Sequence, residues 1–150
     1  MLDVKGIPQL ERLFRLAAQL DVDKSDLQRY SDFVNQKIYD LLLRAQAIAS
    51  ANGRDIIQPY DLPITKGLEE RIHEFKRMNA EIGLEPILDY LAARPPLDLA
   101  YSDETEAALP RIAGGVSVGL AKTFRLLDPD LKNPQMQHWE QATGIFNLLL

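Results

Sequence analysis

Two histidines and no cysteine make up the whole stock of soft ligands and imidazole bases in this chain of 150 residues. His73 and His138 stand far apart in sequence. His138 has Trp139 and Glu140 beside it, but adjacent residues of a helix point to different faces and build no metal site. There is no thiol nucleophile, no paired His ligand set and no glycine-rich nucleotide loop. The expectation is therefore a non-enzymatic protein with no catalytic residues, no metal and no cofactor. The pair whose types and spacing invite a specific interaction is Arg54 and Asp61, seven positions apart across Asp55-Ile56-Ile57-Gln58-Pro59-Tyr60. A guanidinium and a carboxylate form a charge-assisted, two-pronged hydrogen bond when a loop folds back on itself.

The elements that must position this pair are helices. Gly53 supplies the left-handed conformation that ends a helix, and Asn52 tolerates it. Asp61 is expected to be the N-cap of the following helix, with Pro63 in its first turn, where a missing N–H is no loss. Upstream, Leu27, Tyr30, Val34, Ile38, Leu41, Ala45, Ile48 and Asn52 recur at steps of three and four, the face of one long helix capped by Ser25 or Asp26. Before it, Leu10, Leu13, Phe14, Ala17 and Leu20 mark a shorter helix from near Pro8. After the corner, Ile64, Leu68, Ile72, Phe75 and Ile82 predict a helix from Asp61 to a stop at Gly83.

This order then recurs. An offset of about 77 residues places Gly6 on Gly83, Ser25 on Ser102 and Asp26 on Asp103. Pro86 to Ala93 is the second short helix, ended by Arg94-Pro95-Pro96. Leu97, Leu99 and Tyr101 alternate as an extended loop. Ser102 caps a long helix with the face Leu109, Ile112, Val116, Leu120, Phe124, Leu127, and Asn133-Pro134 opens a last helix through Trp139 and Phe146. Pro110 lies inside the second long helix and should kink it. Gly114, Gly115 and Gly119 follow, each costing about 1 kcal/mol of helix propensity, which the close approach of a crossing helix would offset.

Short helix, long helix, Arg54–Asp61 corner and third helix resemble the histone fold, and the doubled order resembles a small bacterial family of tandem histone-fold proteins. The resemblance implies an all-α fold in which two tandem copies in one chain, residues 1–82 and a divergent 83–150, form an intramolecular pseudodimer within one compact domain. It implies that Asp55 to Gln58 pairs with Leu97 to Tyr101, and Leu20 to Asp23 with Asp130 to Asn133. The second half departs from the pattern, since no arginine near Lys132 has an aspartate seven residues on.

Charge speaks about partners. The formal net charge is -5, and residues 1–77 carry twelve basic and twelve acidic side chains against five and ten in residues 78–150. An acidic field opposes binding that depends on neutralising phosphates. In the places where histones touch DNA the first half offers Lys5, Arg12, Arg15, Lys24, Arg29 and Arg54, a strip that supports the second reading, a sequence-nonspecific nucleoid protein. The preferred reading is a protein-interaction or assembly module that binds a protein partner or itself, through an apolar surface at Phe146, Leu148, Leu149 and Leu150. No stretch is apolar enough to cross a bilayer, no signal peptide is seen, and the absence of cysteine fits a reducing cytoplasm.

Overall fold

The computed structural model describes residues 7–86, 88 and 96–150. Among the described residues the fold is all-α apart from one pair of two-residue strands. The order is α1 (Ile7–Ala18), α2 (Lys24–Ala51), β1 (Ile56–Ile57), α3 (Lys66–Ile82), β2 (Ala100–Tyr101), α4 (Asp103–Leu127) and α5 (Met136–Leu149). Lys5 and Gly6, and most of the helix expected over Pro86 to Ala93 together with Arg94, lie outside the described residues.

The two long helices are central because their apolar surface is wider than one stripe. On α2 the expected face is buried from Leu27 to Ala45, and Phe33, Leu42 and Ala49 are buried beside it. On α4 an unbroken run from Ile112 to Val118 is buried, as befits a helix covered on all sides. The helix passes through buried Pro110 as one element. Buried residues of all five helices form a single hydrophobic cluster. Inside it the Tyr30 hydroxyl of α2 donates to the Ser117 hydroxyl of α4 at 2.7 Å, because Ser117 gives its own proton to the Ala113 carbonyl at 2.7 Å.

Two loop pairs tie the ends of the long helices together. At one end β1 and β2 run parallel, Ile56 opposite Ala100 and Ile57 opposite Tyr101. The Thr105 hydroxyl also donates to the Ile57 carbonyl at 2.7 Å. At the other end the Asp21 amide donates to the Lys132 carbonyl at 2.7 Å, and the Asn133 side chain donates to the Asp21 carbonyl at 2.7 Å. Both pairings join the segments expected to meet.

Three helix starts differ from expectation. Asp23, rather than Ser25 or Asp26, caps α2. Its carboxylate accepts from the Asp26 amide at 2.9 Å while the Asp26 carboxylate accepts from the Asp23 amide at 3.0 Å. Asp26 is buried and committed inward, and Ser25 donates its hydroxyl to Asp23. Asp61 does not cap α3 either: it ends a 3-10 turn over Pro59–Asp61, and Thr65 caps a helix that begins at Lys66. The reason is Pro63, which forces Leu62 into the extended region (φ −69, ψ 127), so the chain must leave the turn before it can enter the helix. At α5 the start moves from Asn133-Pro134 to Met136, because the Asn133 side chain is spent on the Asp21 loop and the Gln135 amide is taken by His138 Nδ1 at 2.9 Å.

Candidate functional site

Arg54 and Asp61 are brought together by the turn between them. Both guanidinium nitrogens Nη1 and Nη2 donate to the carboxylate at 2.6 Å, and the Gln58 amide donates to it at 2.8 Å. The Asp61 side chain is only 1% exposed, and Tyr60 lays its ring 4.9 Å from the guanidinium carbon. The Arg54 hydrogen bonds hold the Asp61 carboxyl below the ordinary carboxylate range and push Arg54 above its own. A guanidinium committed in this way locks the corner and has little left to offer a phosphate.

The other basic candidates do not make a uniform strip. Arg15 lies 3.5 Å from Asp21, with both side chains exposed, and Arg29 lies 3.9 Å from the buried Asp26. Arg12 and Lys24 are both exposed. Lys24 and Arg54 stand at opposite ends of α2, whose 28 residues span about 42 Å. Lys24 also sits in a loop pair that carries Asp21, Asp23 and Asp130. Among the described residues no three side chains of the kinds that hold metals converge. His73 is a surface residue beside Glu69, whereas His138 is buried and serves as the cap acceptor at the start of α5.

Two polar residues organise the core edge in roles that spacing did not show. Asp26 accepts the Trp139 indole N–H at 2.9 Å, joining α2 to α5. Arg125 donates to the Ala18 carbonyl at 2.7 Å and 3.0 Å and to the Gln19 carbonyl at 3.2 Å. It thereby caps α1, where Gln19 turns left-handed at φ 56 without the help of glycine. The sequence signal for each is weak, because their partners lie more than a hundred residues away.

The apolar end of α5 falls into two parts. Phe146 is half-buried and sets its ring edge-on to Phe33 at 4.9 Å, so it seals the core. Leu148 and Leu149 remain 85% and 74% exposed, and Leu126, at the end of α4, is 84% exposed. Next to them opens a groove of about 500 Å3. One wall is α3, with Leu68 and Arg71; the floor is Gly115, Val116 and Gly119 of α4; the far wall is Ile145, Leu149 and Leu150. Leu150 is half-buried there. Lys122 stands at the rim, 2.6 Å from Glu74, which Arg71 reaches at 2.9 Å. A groove of this volume with an apolar lining and few polar groups has the character of a binding site. The sequence pointed to the end of α5 and missed the groove, because α3 and α4 supply two of its sides.

Comparison with known proteins places the overall structure among solved relatives. An uncharacterized protein of Aquifex aeolicus (strain VF5) is 31% identical over 116 residues, covering 77% of this chain and 68% of its own length. A second from the same organism is 32% identical over 136 residues, covering 82% of this chain and 79% of its own. A crystal structure of a Thermus thermophilus protein matches with a TM-score of 0.85 at 53% identity over 96% of this chain and 97% of that one. A crystal structure from Aquifex aeolicus matches with a TM-score of 0.85 at 27% identity, over 100% and 99% of the two chains. Residues 10–147 fit the model of a family described as a domain of unknown function, DUF1931, and the chain belongs to that family.

Proposed function

We propose that this chain is a histone-fold pseudodimer that acts without catalysis, in the cytoplasm, as a docking module for a protein partner. The pseudodimer reading is supported by the long helix followed by a shorter one in each half, by the two loop pairs that join one half to the other, and by the Tyr30–Ser117 contact between the long helices. The docking reading is carried by one observation: Leu126 and Leu149 line an apolar groove while largely exposed, and Leu148 is exposed next to Leu149 in the chain. Large leucines left wet in one patch gain when a partner covers them, each by roughly 1.5 to 3 kcal/mol if fully buried.

The test is a photo-crosslinking amino acid placed at Leu148, with a control at exposed Lys76 on α3, in cells of the source organism. Discrete protein adducts from position 148 and none from position 76 are expected. Equal labelling at both positions, or none at 148, overturns the reading. The second reading, a nucleoid protein, is favoured among the described candidates by Arg12 and Lys24, and its separate test is a DNA titration against salt.

A further inference from the structure

We infer that the groove beside α5 seats an amphipathic helix of the partner protein, with leucine-like side chains entering the groove and acidic residues flanking them. The inference rests on the docking reading and specifies its partner. Gly119 gives the first argument. A side chain at Gly114 would strike the Phe75 ring at 2.3 Å, and one at Gly115 would strike Ile72 at 2.5 Å, so packing of α3 on α4 accounts for both glycines. At Gly119 a Cβ would meet only ordinary contacts, Phe146 at 3.6 Å and Arg71 at 3.7 Å. Packing does not demand glycine there, and what glycine does is keep the groove deep.

Charge gives the second argument. Arg71 and Lys122 line the groove, and among the described residues no carboxylate side chain lines it; Glu74 beside them is bonded to both, at 2.9 Å and 2.6 Å, and Glu70 lies 3.3 Å from Arg71. The charged side chains that line the groove are therefore both cations, on a chain whose net charge is -5. The Arg71 Nε is also buried without an acceptor. An acidic flank complements this rim. Extent gives the third. A small amphiphile filling the groove would leave Leu148, which does not line it, wet, whereas a helix laid across the groove extends past its rim. A second copy of the chain fits poorly, because its α5 tip from Gln141 to Leu150 carries no charged side chain to meet the rim.

The experiment is fluorescence anisotropy with labelled synthetic helices of about 18 residues, five turns, carrying leucines at i, i+3, i+4 and i+7. One peptide has Glu flanks, one has Lys flanks, and one has the Glu composition scrambled. The Glu-flanked helix is expected to bind saturably and at least about tenfold more tightly than the other two. Gly119→Leu, which fills the groove, and Leu149→Asp, which breaks its wall, are each expected to weaken it by about tenfold or more, with Trp139 fluorescence melts reporting an intact fold. Equal binding of the scrambled peptide, or binding indifferent to both variants, overturns the inference. Saturable binding of dodecanoate without binding of any peptide overturns it in favour of a small amphiphile. A dimer in light scattering that Leu149→Asp abolishes overturns it in favour of a second copy. Adducts at position 148 without peptide binding overturn it while leaving the docking reading intact, and absence of adducts removes both.

Discussion

Among single residues the corner carries the sharpest expectation. Asp61 is buried and takes three hydrogen bonds, two from Arg54 and one from Gln58, so Asp61→Ala removes the acceptor for an arginine and a backbone amide at once. Bonds to charged groups contribute about 1.5–3 kcal/mol, and a loss of about 2 kcal/mol in urea unfolding is expected. Arg29→Ala is the control. Arg29 sits 3.9 Å from its carboxylate and partly exposed, and its removal should shift stability by less than about 0.5 kcal/mol. Acidity distinguishes the two as well. Asp61 has a folded pKa below its unfolded one, so its contribution is complete above the unfolded value of about 3.9 and is lost as pH falls through the lower folded value. The gap between wild type and Asp61→Ala should therefore be constant near neutrality and close in strong acid; a gap that instead widened there would exclude the pair as its source. The spacing of Arg54 and Asp61 made this bond legible. It did not reveal that Asp61 closes a 3-10 turn, because the decision belongs to Pro63 acting on Leu62.

For whole elements the informative residues are the glycines of α4. Their periodic setting told that something packs closely, but not that α3 is the neighbour, since nothing in a glycine names the residue across from it. The distances now separate them. Gly114→Ala and Gly115→Ala each force a Cβ into Phe75 or Ile72, and overpacking of about 1–3 kcal/mol should outweigh the helix propensity gained. Gly119→Ala has room, so it should gain up to about 1 kcal/mol. Thermal or urea melts of the three variants test the order, and a destabilised Gly119→Ala would show that the helix is crowded where the distances say it is open. Helix existence was legible for every described helix, and the faces of the first four in their main run, because periodicity is a local property; Asn52, at the end of the α2 face, is exposed. Helix starts were less so, since Asp23, Thr65 and Gln135 are fixed by partners such as Asp26, Pro63 and His138 that compete for the same backbone groups.

At the scale of the molecule, charge decides between the two readings of what it binds. Six basic residues were candidates for phosphate contact. Of the five described, Arg54 is held by Asp61, Arg15 faces Asp21 and Arg29 leans on Asp26, which leaves Arg12 and Lys24 to act on DNA. Each neutralised phosphate contributes about 0.9 to the slope of log affinity against log salt, so two contacts allow a slope no steeper than about −2. The net charge of -5 further weakens approach to a polyanion. Titration of fluorescent duplex DNA is therefore expected to give at most weak binding at low salt, with a shallow slope and none near about 0.15 M. The double variant Arg12→Gln, Lys24→Gln should abolish what remains. A slope of about −5 or steeper would need more cations than these candidates free, and would mean that the corner opens to release Arg54 or that Lys5 and its neighbours join the contact. Asp61→Ala separates those two cases, because it frees Arg54 without touching the N-terminal residues: stronger DNA binding in that variant would locate the missing charge at the corner.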